Sequence, residues 1–188
     1  MKPQRIRLLL VLSCAAVAPL LAKEPVKPPP PAAPPVPAEQ AQLDYFDGQW
    51  RCEGTTFASP MGPEHKTTAT VRAARAVGGR WTHITYDEDK SAANPTPYHA
   101  GVYMGYDAGA RKFVETCFDS MGSHCTQSAS GWNGDVLAFE GAAEGDGKST
   151  PARDTFTRKG PNEVVHAGEM QMDGKWVKLD EETCKKAK

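Results

Sequence analysis

The ten residues FDGQWRCEGT, Phe46 to Thr55, decide how the rest of this 188-residue chain is read. A Gly-x-Trp and a cysteine stand together on what reads as one strand, just behind a proline-rich stretch. Upstream, Leu43 and Phe46 recur at i, i+3 between polar residues, so 39–47 is predicted to form one or two helical turns leading into that strand. Downstream, turn signals at Gly78-Gly79, 107–110, 120–123, Asn133-Gly134, 141–149, 160–162 and Asp173-Gly174 separate short segments rich in β-branched and aromatic residues. Asn-Gly and Asp-Gly are the strongest of these, because a type I′ hairpin turn needs φ > 0 at both central positions.

The pattern predicts about ten strands, at 48–58, 65–77, 80–87, 98–107, 111–119, 123–131, 135–141, 152–159, 163–171 and 175–184. The fold class is therefore all-β, an antiparallel up-and-down barrel with a short N-terminal helical lead-in. A barrel is preferred to a sandwich because closure disposes of exposed edges. The cysteines after residue 22 constrain the topology independently. Of the three connectivities open to Cys52, Cys117, Cys125 and Cys184, only Cys52–Cys184 with Cys117–Cys125 joins strands that closure already makes adjacent. The first bond would staple the barrel seam, and the second would fix the register of one hairpin.

Ahead of the barrel, Lys2, Arg5 and Arg7 precede an apolar run ending at Ala22, which reads as a secretory signal peptide and not a membrane span. The predicted organisation is a signal peptide over 1–22, a proline-rich spacer over 23–38, the barrel over 39–184 and a basic tail over 185–188. The spacer is extended and polyproline-like. Cys14 admits a minority alternative, a lipid-anchored chain, but an ordinary small hydrophobe in the apolar run is the simpler role. Cleavage removes three of the 22 bases and none of the 23 acids, for a formal charge of about −4. With no basic stripe the chain is not a nucleic-acid binder. An even cysteine count fits an oxidising, periplasmic compartment, no transmembrane segment is expected in the mature chain, and a monomer is the simplest assembly.

Gly48-Gln49-Trp50, placed after a helical lead-in and opening a meander, resembles the Gly-x-Trp of the lipocalins and their calycin relatives. With Gly78-Gly79-Arg80-Trp81, Gly105-Tyr106-Asp107 and Asp119-Ser120-Met121-Gly122 in this order, the chain from about 41 to 184 resembles an uncharacterised bacterial family, a domain of unknown function with a lipocalin-like barrel that commonly follows a signal peptide. The resemblance implies that Trp50 plugs one barrel end beneath a basic side chain, for which Arg158 is the candidate, and it implies no activity. The four cysteines are not part of the family pattern.

A hollow barrel end is a binding site by default. Alternation nominates Trp81 and His83 on one strand, Tyr98, Val102, Met104 and Tyr106 on another, and His166 and Met170 on a third as inward-facing, together with Phe113 and Phe156. A plain core is an equally good account of them. His83 and His166 lie on apolar faces, where an axial haem ligand or a proton shuttle is the sharper alternative to a hydrogen-bonded core histidine. His65, His99 and His124 read as surface or strand-end residues. Glu115 and Asp119 are spaced to face one cavity as a carboxylate pair, and Asp87-Glu88-Asp89 reads as a solvated loop. His124-Cys125 with Cys117 fits no zinc spacing, and no nucleophile elbow, metalloprotease helix or nucleotide-binding loop occurs. No cofactor or metal is expected. The leading expectation is a non-enzymatic exported container for a small apolar or amphipathic molecule. An enzyme with isomerase- or haem-type chemistry and a solid structural module are the alternatives.

Overall fold

The structure is a computed structural model that describes residues 33–187, so the expected leader and most of the proline spacer lie outside the described residues. The folded domain is the unit Pro35–Lys188. A 3₁₀ helix over Ala38–Phe46 leads into ten strands: β1 Gly48–Thr56, β2 His65–Ala76, β3 Trp81–Glu88, β4 His99–Asp107, β5 Lys112–Asp119, β6 His124–Ala129, β7 Val136–Gly145, β8 Lys148–Gly160, β9 Glu163–Met172 and β10 Lys175–Lys186. Each strand pairs antiparallel with its neighbours in sequence, and β1 pairs with β10 to close the barrel. The predicted ten-stranded meander and its closure are thus the fold. No helix among the described residues is long and apolar enough to cross a membrane.

Closure puts Cys52 directly opposite Cys184 across the β1–β10 seam, and Cys117 opposite Cys125 across β5–β6. The Cα atoms are 3.9 and 4.9 Å apart, and both pairs are at disulfide-bonding distance. Two hairpin turns follow the type I′ requirement, with positive φ at both Asp173 and Gly174 and at both Asp146 and Gly147. Asn133-Gly134 does not: Asn133 bridges to Val136, which makes Gly134 and Asp135 the central residues. The expected long turn at 141–149 is also mostly strand. Gly141, Ala142 and Ala143 continue β7, and they carry no side-chain signal because β6 runs so close that a Cβ on Gly141 would lie 2.1 Å from the Thr126 carbonyl oxygen.

The five connections β1–β2, β3–β4, β5–β6, β7–β8 and β9–β10 gather at one end, the mouth, and the chain enters at the other. The entry end is plugged. The Trp50 indole N–H donates to the Phe46 carbonyl at 2.7 Å, and Tyr45, Phe46 and Trp132 pack ring to ring around it. The cation over Trp50 is Lys186, 4.9 Å from the ring centroid, in place of the expected Arg158. Arg158 instead covers Trp132 at 3.4 Å and Tyr45 at 4.5 Å, in the same plug but one aromatic ring further out. Above the plug, Leu43, Met104, Phe113, Leu137 and Phe139 fill the lower barrel with almost no exposure.

Candidate ligand-binding site

Strand parity decides which side chains enter the barrel. On β3 the buried positions are Thr82, Ile84 and Glu88, so Trp81 and His83 belong to the outer face and not, as alternation suggested, to the inner one. His83 stacks on Tyr103 of β4, and the Trp81 ring lies over Gly105, where a Cβ would come within 2.7 Å. The β3 segment is apolar on both faces at its start, so its parity was ambiguous until the Thr82↔Met104 and Ile84↔Val102 pairs settled it. Val102, Met104, Tyr106, Phe113 and Phe156 do face or pack on the lower core. Tyr98, His166 and Met170 stand in the upper half, where the interior changes character.

That upper half is a polar basin. On β9, His166 points inward with both ring nitrogens engaged: Nε2–H donates to Asp154 Oδ1 of β8 at 3.0 Å, and Nδ1–H donates to Asp180 Oδ1 of β10 at 3.2 Å. Phe156 packs against the ring. Gly168, which pairs with both Asp154 and Asp180, gives the second aspartate its place, since a Cβ there would lie 2.5 Å from Asp180 Oδ2. On the neighbouring strands, Glu182 Oε1 accepts the hydroxyls of Tyr86 at 2.7 Å and Thr67 at 2.8 Å. The Gln127 amide on β6 donates to Asp154 Oδ2. Glu115 on β5 lies between Met104 and Gln127 in register.

Two buried atoms of this set have no partner among the described residues, Glu115 Oε2 and Gln127 Oε1, on side chains that are each 3 % exposed. His166, Asp154 and Asp180 keep 23, 24 and 32 % of their side-chain exposure although they point into the barrel. Two open concavities of about 480 and 450 Å³ lie elsewhere, around Arg158 and beside the β7–β8 turn, and none of the expected ligand-contacting residues lines them.

The electrostatics follow from the burial. Glu115 is held well above the ordinary carboxyl range, first by desolvation and then by the negative charge of Asp154, with His166 opposing. Burial by itself would lower His166, but its hydrogen bonds to Asp154 and Asp180 outweigh that and hold it well above the ordinary histidine value, as an imidazolium. Burial also raises Glu182, against its two hydroxyl donors. Tyr86 and Tyr98 are both pushed up, by burial first and then by the carboxylates Glu182 and Asp119.

Among the described residues, one cluster of metal-ligating side chains and two candidate haem ligands can be weighed. Cys52, Glu182 and Cys184 lie together, but the two sulfurs are at disulfide distance from each other, which leaves one carboxylate. Both His166 nitrogens carry protons toward carboxylates, so no lone pair faces an iron, and His83 is on the outside. Glu115 and Asp119 share the inward face, but Glu115 neighbours Asp154, while Asp119 accepts the amides of Met121 and Ser123 and the Tyr98 hydroxyl. Asp87-Glu88-Asp89 is a strand end and not a solvated loop. Asp87 and Asp89 pair with Arg72 and Arg51, and buried Glu88 accepts from Asn94 and from the Tyr98 amide. The residues that alternation missed are Gln127, Asp154, Asp180 and Glu182. Each is an acid or amide in an otherwise ordinary strand, and the available signals are isolated glycines where a neighbour must approach: Gly168 opposite Asp154 and Asp180, and Gly54 against Glu182.

A closed ten-stranded antiparallel meander with a plugged entry end and a polar basin at its mouth defines a lipocalin-like β-barrel protein. Residues 36–186 match the family DUF1579, described as a protein of unknown function, and the chain belongs to it. Among solved structures it is similar to the crystal structure of Rv2717c from M. tuberculosis, with a TM-score of 0.64 and 14 % sequence identity over 82 % of this chain and 100 % of that one, a likeness of fold. Comparison with the curated proteins returns no match.

Proposed function

We propose that this protein is an exported, periplasmic barrel, monomeric and spaced from its surroundings by the proline-rich stretch, that binds a small amphipathic molecule in the mouth-side half of its interior. The observation that carries the reading is the pair of unpartnered buried atoms, Glu115 Oε2 and Gln127 Oε1, on the inward face of the upper barrel. Buried polar atoms in folded proteins are almost always paired, and leaving one unpaired costs about 1–3 kcal/mol. A ligand group bearing hydrogen-bond donors would complete both. The lower barrel is already filled by Met104, Phe113 and Phe139, so a wholly apolar ligand has no apolar chamber to enter. Phe156, Tyr86 and Tyr98 offer aromatic wall for a short apolar portion. The two cysteine pairs at bonding distance support an oxidising compartment.

Native mass spectrometry of protein purified gently from its own periplasm tests this. A retained small molecule that disappears in Glu115→Ala/Gln127→Ala is the expected result, and a clean apo mass over repeated preparations overturns it. One observation favours a second reading, proton-transfer chemistry of an isomerase type: the pKa of buried Glu115 is raised well above the ordinary carboxyl value, and it feels the charges of Asp154 and His166. In that reading His166 serves as an acid, since its imidazolium form is the resting one.

A further inference from the structure

The acids of this barrel divide by partner. Outside, they pair with long basic side chains: Asp44 with Arg75, Asp89 with Arg51, Asp87 with Arg72, Glu169 with Arg153, Glu181 with Lys178 and Glu163 with Lys185. Inside, Glu115, Asp154, Asp180 and Glu182 have only amide, hydroxyl and imidazole partners, and among the described residues no lysine or arginine reaches them. His166 bonds two of these four carboxyl groups, and a fifth buried acid, Glu88, has its own imidazole partner in His65 at 3.4 Å. Charge in a basin of reduced dielectric is costly unless matched, and burial together with the Asp154 charge raises the Glu115 pKa well above the ordinary carboxyl value, which favours its neutral form. A positive charge beside these acids would remove that penalty.

Resting on the binding reading above, we infer that the head of the ligand is an organic ammonium group, whose N–H donors go to Glu115 Oε2 and Gln127 Oε1 and whose charge Asp154 and Asp180 balance. The donor count favours an ammonium over a hard metal ion. Calcium takes about six to eight oxygens and magnesium six, whereas an ammonium is satisfied by two or three acceptors. Asp154 has already spent one lone pair on Gln127 and another on His166, and Glu182 accepts two hydroxyls on a single oxygen. An anionic head would meet four carboxyl groups and no guanidinium.

Isothermal titration of the oxidised mature protein with octylammonium, 1-octanol and octanoate at neutral pH separates the possibilities. The expected result is octylammonium binding at least about tenfold tighter than octanol, with octanoate weaker still. Binding should also release protons, read as a heat that changes between buffers of different ionisation enthalpy, because the incoming charge displaces the Glu115 proton. Glu115→Gln, checked for folding by circular dichroism, should abolish both the preference for octylammonium over octanol and the proton release. Octanol binding as tightly as octylammonium in the wild-type protein overturns the ammonium head and leaves the amphipathic reading standing. Binding by none of the three overturns both. Displacement of octylammonium by millimolar calcium assigns the site to a metal and also overturns the proposal.

Discussion

His166 and Glu115 concentrate the chemistry of the basin, and their shifts have the same sign. Both have folded pKa values above their ordinary ones, 6.5 for histidine and 4.5 for glutamate, so the fold retains protons that the unfolded chain has released. Each contribution to stability is complete below the ordinary value and is lost as pH rises through the folded one. Urea unfolding should therefore show stability declining as pH rises above 4.5 for the Glu115 part and above 6.5 for the His166 part, at up to about 1.4 kcal/mol per pH unit for each proton retained. Glu115→Gln should remove the acid-side part of that slope, and an unchanged slope would refute the assignment. Gly168 is the second residue whose effect is specific. Gly168→Ala places a Cβ 2.5 Å from Asp180 Oδ2, so the carboxylate must swing away from His166. We expect about 1–3 kcal/mol of destabilisation, together with a fall in the His166 pKa measured by NMR titration. A loss of stability with an unmoved pKa would mean that Asp180 does not support the imidazolium.

At the scale of elements, two joints hold the strands in register. The seam bond, Cys52 to Cys184, closes a segment with a sequence separation of 132, against 8 for Cys117 to Cys125. In the chain-entropy account these correspond to about 5 and about 2.5 kcal/mol. Cys52→Ala/Cys184→Ala should accordingly lower the denaturation midpoint more than Cys117→Ala/Cys125→Ala, and the reverse order would show that the hairpin and not the seam limits stability. The plug is the other joint. Arg158 lies 3.4 Å above Trp132 and 4.5 Å from Tyr45, tying β8 to the entry helix, and desolvation lowers its pKa from the ordinary value. Arg158→Lys keeps the charge but loses the planar stack, so we expect a loss of about 1 kcal/mol, with Arg158→Ala losing about 2. Equal stability of the lysine variant and the wild type in thermal unfolding would show that charge alone suffices there.

Across the whole molecule, the barrel is two compartments in series. The half next to the plug is packed with apolar side chains, and the half next to the mouth holds buried acids whose partners are few. Rigidity and binding are thereby separated: the packed half and the seam fix the frame, and the mouth half can retain unsatisfied atoms without loss of the fold. A ligand that binds only the folded barrel should raise its stability by about 2.7 kcal/mol at a hundredfold excess over Kd. For a domain of this size that is a rise of about 5–10 °C in Tm, readable by scanning calorimetry. The rise given by octylammonium should shrink in Glu115→Gln and persist in His83→Ala, because His83 stands on the outer face.

Much of the architecture is legible in the chain itself. Ten strands, their up-and-down order, closure at the seam and both cysteine pairings follow from turn spacing and from where four cysteines fall, because hairpin chemistry is local and closure admits only one pairing between adjacent strands. Trp50 and its place in a plug were legible from Gly-x-Trp. The face of each strand was less so. Trp81 and His83 looked inward because β3 begins apolar on both sides, and only the pairing with β4 decided between them. Arg158 and Lys186 exchanged roles for the same kind of reason, since a sequence shows which strands end in a cation but not which ring each cation reaches. Least legible was the basin: Glu115, Gln127, Asp154, His166, Asp180 and Glu182 come from five strands, and no local rule marks an acid that will be buried. The sequence by itself determined the container, since hairpins and cysteine pairs are set by short-range geometry. Only the tertiary structure decided what lines it, because closing the sheet brings carboxyl groups from β8 and β10 onto one imidazole, where no arginine among the described residues pairs with them.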